Sequence, residues 1–107
     1  MHIVNRGYLV LSYKQPYFDW SNPFSEVAFQ VGDLEPSVYL VEDDFIEEDK
    51  IIEKSFKKIM EIELSSAQED EEMWVEITRE NFDLFFDCVV GSSVFDTIKT
   101  PIQREEI

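Results

Sequence analysis

Between Ile3 and Lys14 the chain alternates without ever producing a polar face. Tyr8, Val10 and Ser12 fall on one side of an extended backbone, and Gly7, Leu9, Leu11 and Tyr13 on the other. A strand apolar on both sides is expected at the centre of a sheet, covered above and below. Gln15-Pro16 ends it, and the aromatic stretch Tyr17 to Phe24, closed by Asn22-Pro23, reads as one helical turn or a packed loop. Gly32-Asp33 is a turn signal, and Ser37 to Val41 reads as a second, shorter strand entered from Pro36.

From about Phe45 to Leu64 the period becomes helical. Phe45, Ile52, Phe56, Ile59 and Met60 share one stripe roughly 100° wide. Asp44 and Glu47 have the spacing of an N-cap and its third helical residue, and Glu53, Lys57 and Glu61 are placed for i,i+4 pairing. Ser65 to Gln68 and the acids that follow form a solvated connection, after which Met73-Trp74-Val75 is a short apolar anchor. Thr78 is the expected N-cap of a second helix from Arg79 to about Val89, with Phe82, Phe85, Phe86 and Val89 on one stripe and Gly91 as its stop. Ser93 to about Thr97 reads as a third strand, and 101–107 as a frayed tail beyond a single domain over 1–100. The predicted fold is α+β: a small, mostly antiparallel sheet of about three strands packed by two main helices.

Charge then narrows what such a fold can touch. The chain has 107 residues and a formal net charge of −15, with acid gathered at Glu42-Asp43-Asp44, Glu47-Glu48-Asp49 and Glu69-Asp70-Glu71-Glu72. Such an excess repels phosphate backbones and anionic lipid headgroups, so neither direct nucleic-acid binding nor membrane association is expected. The apolar content, 44% with nine Phe and two Trp, is that of a folded protein and not of a disordered acidic chain. No apolar run reaches the roughly 20 residues of a membrane span, and the N-terminus lacks a signal-peptide core, so a cytoplasmic protein is expected.

The ordered segments Asn5-Arg6-Gly7-Tyr8, Gln15-Pro16-Tyr17-Phe18-Asp19-Trp20, Val38-Tyr39-Leu40, Trp74-Val75-Glu76 and Ser93-Val94-Phe95-Asp96 together resemble a family of small, acidic, uncharacterised bacterial proteins. The resemblance runs from about Asn5 to Asp96. It implies a bacterial source and a self-contained domain, and implies no activity. Val75 stands where that family usually carries the proline of Trp-Pro-Glu.

Candidate chemistry is sparse. The acids at 42–49 lack the alternating ligands and turn glycine of a calcium loop, and part of the block is explained by a helix start, so no metal site is expected. A single cysteine, Cys88, excludes an intrachain disulfide and a structural zinc site of four cysteines or of two cysteines and two histidines, and on the second helix it reads as an inert thiol. His2 is the only histidine, three glycines build no phosphate loop, and no catalytic residue or cofactor is expected. Nucleic-acid mimicry by the acidic surface would need a long uniform acidic face, which Lys50, Lys54, Lys57 and Lys58 interrupt.

Two functional classes remain. The first is a non-enzymatic interaction module, adaptor or inhibitor-like, that draws a basic partner through Arg6, Asp19, Trp20, Glu69, Asp70, Glu71, Glu72, Trp74 and Glu76. In it the two indoles either anchor the partner or serve as lids on the core. The second is a small hydrolase or small-ligand-binding protein with an aromatic and acidic pocket lined by Arg6, Asp19, Trp20, Trp74 and Glu76. Oligomeric state is open at this level.

Overall fold

The structure, a computed structural model, describes residues 1–43 and 47–107. Strand β2 (Gly7–Tyr13) lies at the centre of a three-stranded antiparallel sheet between β3 (Ser37–Val41) and β4 (Phe86–Gly91). In register, Val10 faces Val38 on one side and Val89 on the other, and Leu9 faces Tyr39 and Val90. A second antiparallel pair, β1 (His2–Val4) with β5 (Val94–Asp96), prolongs the β2–β4 ribbon beyond Gly91. Tyr8 opposes Gly91 and Val4 opposes Val94, four steps on one strand against three on the other. One extra residue therefore sits around Asn5-Arg6, a bulge that breaks the expected single strand into β1 and β2.

Three helices cover one face of the sheet: α1 (Gln15–Ser21), α2 (Glu48–Ala67) and α3 (Arg79–Phe85). Leu9 and Leu11 of β2 and Phe86 and Val90 of β4 meet Tyr17 and Phe18 of α1, Ile51, Phe56, Ile59, Met60 and Leu64 of α2, and Phe82 and Phe85 of α3 in one core. The α+β class and the small antiparallel sheet under helices agree with the sequence expectation. The expected aromatic turn is α1, led by Pro16, followed by a 3-10 turn at Asn22–Phe24. Thr78 caps α3 as expected, its side chain accepting from the Asn81 backbone N–H at 3.1 Å. Helix α2 runs three residues past Leu64 to Ala67, with Glu48 and Asp49 in its first turn favourably placed for the helix dipole. The expected cap Asp44 and stripe residue Phe45 lie outside the described residues.

Two expectations are corrected. The second helix does not reach Val89, because it ends at Phe85 and the chain continues as β4. Read with a period of two, Phe86, Cys88 and Val90 form an apolar face, and pairing six residues with β2 satisfies the backbone while burying Phe86 and Val90. Gly91 is accordingly not a helix stop. It ends β4 opposite Tyr8, where a β-carbon would collide with the Tyr8 ring. The second correction concerns β2, which is central in its sheet but, among the described residues, covered on one side only. Tyr8, Val10 and Ser12, with Val38, Leu40 and Val89 beside them, face away from the helices.

The expected i,i+4 pairs on α2 are replaced by a cross-helix clamp. Arg79 of α3 donates to Asp49 at 2.8 Å, to Glu53 at 3.0 Å and to Asp83 at 2.8 Å, and Lys57 is in no ion pair among the described residues. A planar guanidinium can serve three carboxylates at once, which a lysine ammonium on the same helix face cannot match in geometry. These contacts, led by the bond to Asp83, raise the Arg79 pKa beyond its usual value.

Candidate functional site

Glu63 is the least expected residue of the core. It lies on the apolar face of α2 between Met60 and Leu64, nearly as buried as they are. Its carboxyl is shared by two strands: Tyr13 of β2 donates to Oε1 at 2.6 Å, and Tyr39 of β3 donates to Oε2. With the Tyr13 proton committed to Glu63, the 3.0 Å contact between Tyr13 and Ser37 leaves the serine hydroxyl as donor. Burial, reinforced by these bonds to Glu63, pushes the Tyr13 and Tyr39 phenols well above the ordinary tyrosine range, and Tyr17 nearby is pushed up to about 12 by burial and then by the Glu63 charge. All three are protonated at neutral pH. A cleft of about 590 Å³ opens beside this cluster, with Glu35, Ser37 and Ser66 on its walls. Both carboxyl oxygens are already engaged by phenols, so the cluster is built to tie α2 to β2 and β3 rather than to take a proton from a substrate.

The acidic end is organised by α1 and the segment after α2. Trp20 of α1 donates its indole N–H to the carbonyl of Met73 at 3.0 Å, and Trp74 donates to the carbonyl of Gln68 at 2.7 Å. The Trp20 ring packs 5.4 Å from Phe24 and 6.1 Å from Phe85, so both indoles are half-buried lids that hold the 3-10 turn Glu71–Met73 against the core. Asp70 caps that turn by accepting from the Glu72 N–H at 3.0 Å. Asp19 accepts from Gln15 on the outer side of α1. Glu69, Asp70, Glu71, Glu72 and Glu76 are exposed around half-exposed Met73. No Lys or Arg occurs anywhere in 59–78. Among the described residues, the ion pairs engage Lys50, Lys54 and Arg79, and none reaches these five acids.

Arg6 is not part of this end. It precedes β2 while Trp20 follows it, and seven extended residues separate two points by about 20 Å. Arg6 instead lines a cleft of about 630 Å³ between β3 and α2, together with Lys54, Lys58, Ile51, Ile59 and Ile62. A single pocket formed by Arg6 with Asp19, Trp20, Trp74 and Glu76 is therefore not assembled: none of the three clefts described between the elements combines Arg6 with the others. The bond from Trp20 to the Met73 carbonyl sets α1 against the segment that carries Glu69 to Glu72 and Trp74; Asp19 is next to Trp20 in sequence but faces Gln15, and Glu76 lies two residues beyond Trp74.

Cys88 lies on β4, half-buried, and burial followed by nearby acids pushes its thiol up to about 11. His2 is exposed at the start of β1, opposite Asp96. Among the described residues no three His, Cys, Asp or Glu side chains are grouped to hold a metal ion, and no helix is long and apolar enough to cross a membrane. Glu63 went unnoticed in the sequence, although an acid set between Met60 and Leu64 on an apolar stripe was the signal available. No family model, curated protein or solved structure matches the chain.

Proposed function

We propose that this protein is a non-enzymatic interaction module that docks a basic partner segment on its acidic end. The observation that carries this reading is a block of exposed carboxylates, Glu69 to Glu72 and Glu76, left without cationic partners among the described residues while acids elsewhere are drawn to Arg79, Lys50 and Lys54. Uncompensated charge of one sign repels itself and destabilises the fold, but it also steers an oppositely charged molecule and raises its association rate. The Trp20 and Trp74 hydrogen bonds hold the segment in place beforehand, so little ordering has to accompany docking. Exposed Met73 supplies an adaptable apolar contact in the middle of the acids.

The test uses a fluorescently labelled peptide of alternating lysine and leucine as the probe. Wild-type protein is compared with a variant carrying Glu69→Gln, Asp70→Asn, Glu71→Gln and Glu72→Gln. Asparagine at 70 preserves the cap of the 3-10 turn. A control variant neutralises Glu26, Glu35, Glu105 and Glu106 and so has the same net charge. Slower association and a shallower salt dependence in the first variant only are the expected result. Equal losses in both variants would reduce the effect to bulk charge and refute a localised site.

A further inference from the structure

We infer that the helix-free face of the sheet is a self-association surface and that its occupant is a second copy of this chain. The outward positions of the three strands form two apolar rows, Val38–Val10–Val89 and Leu40–Tyr8–Gly91, and in the neighbouring β1–β5 pair the opposed Ile3 and Phe95 are exposed as well. Val38 is 63% exposed, Leu40 54%, Val89 62%, Phe95 56% and Ile3 78%. Together they leave roughly 500 Å² of largely apolar surface open, at the upper end of the largest patches that monomers show and about two-thirds of the ~800 Å² each partner brings to a standard interface. Tyr8 and Val10, half-buried between their neighbours, fill the middle of the face.

Charge distinguishes this occupant from a basic one. In a chain of net charge −15, the outward positions of β2, β3 and β4 hold a single acid, Asp87, at the end of β4 opposite Ser12. A basic partner would find only Asp87 at the rim to pair with, and its other cations would be desolvated without compensation. A second sheet face, equally apolar and charged only at Asp87 on its rim, matches it side chain for side chain in the isologous manner of a two-fold dimer. The layer order also relieves the obvious objection, that two polyanions repel. Sheets packed about 10 Å apart, each with its helices another ~10 Å behind, place the acid-bearing α2 layers on the outer sides at about 30 Å, against a screening length near 8 Å in physiological salt. This surface is separate from the acidic end, so either reading can fail without the other.

The experiment measures molar mass by sedimentation equilibrium on the full chain, across protein concentration and at low and high salt, with thermal unfolding run on every variant to confirm folding. Wild-type protein is expected to pass from monomer to dimer, and the dimer is expected to strengthen as salt rises. Val38→Lys and Val89→Lys should each weaken association by about ten-fold or more, although each lowers the net negative charge and so reduces repulsion. Ile102→Lys, the same change of charge on an exposed residue outside the strands, should leave association as in wild type. A wild-type chain that stays monomeric at every concentration and salt would overturn the inference. So would a dimer that Val38→Lys and Val89→Lys leave intact, or that Ile102→Lys disrupts equally.

Discussion

Replacing Glu63 with alanine is expected to destabilise the fold by about 3 kcal/mol, and the way that loss divides among related variants tests the role assigned to the Tyr13–Glu63–Tyr39 cluster. Two hydrogen bonds to a buried carboxyl disappear, each worth about 1.5 to 3 kcal/mol, and the Tyr39 hydroxyl loses its partner while Tyr13 keeps Ser37. Removing the buried charge relieves its desolvation and offsets part of that loss. Glu63→Gln should cost less, about 1 to 2 kcal/mol, since an amide can still accept from one phenol and donate to the other. A triple variant, Glu63→Leu with Tyr13→Phe and Tyr39→Phe, removes the polar cluster altogether and should lie within about 1 kcal/mol of wild type. Urea unfolding at neutral pH measures all three, with the slope m checking that the unfolded states are comparable. A loss below about 1 kcal/mol for alanine, or a triple variant as unstable as the single one, would refute the account of a satisfied buried cluster whose cost arises from leaving it half satisfied.

The same cluster predicts an alkaline limit. The phenols of Tyr13, Tyr17 and Tyr39 have native pKa values raised above their unfolded value of 10.0, so the stability they contribute is complete below pH 10 and falls as pH rises from there through the native value, about 12 for Tyr17. Unfolding followed by tyrosinate absorbance should show this fall, and Tyr17→Phe should make it shallower. Arg79→Ala should cost about 1 kcal/mol, because the three carboxylates it joins are mostly exposed, and Arg79→Lys should recover little of it; denaturation at low and high salt should show the difference shrinking as salt rises. Gly91→Ala should cost no more than about 1 kcal/mol, because the obstructing Tyr8 atoms are the far end of a movable side chain, and the penalty should vanish in a Tyr8→Ala background. Alkylation of Cys88 at neutral pH should be about 100-fold slower in the folded chain than for a thiol at 9.0, with denaturant restoring the rate.

The α2 helix was legible because its information is local. An apolar residue every three or four positions, with acids at the start, specifies a helix whatever surrounds it, and Phe56, Ile59, Met60 and Leu64 are buried as the pattern requires. Thr78 was legible for the same reason, since a cap needs only its own next turn. Net charge, too, belongs to composition, and the exclusions drawn from it do not depend on the fold.

Residues 85–90 were not legible, because Phe85-Phe86 and Val89-Val90 fit a period of 3.6 and a period of 2 equally well. The choice was made by β2, more than 70 positions earlier in the chain, whose second edge takes residues 86–91 as an antiparallel neighbour. Trp20 and Trp74 carried the same ambiguity between anchor and lid, and the carbonyls of Met73 and Gln68 decided for the lid. The sheet face is the deepest case. A strand apolar on both sides has one appearance in sequence whether a second layer covers it or not, since local pattern reports only the preference of side chains to leave water and says nothing of where another surface stands. Sequence alone determined that this chain would fold into an acidic α+β domain around an amphipathic helix. Only the tertiary structure decided that Glu63 would be held by two strands, that Arg6 would part from the tryptophans, and that the outer sheet face would remain open, because each depends on contacts between distant segments that no local period encodes.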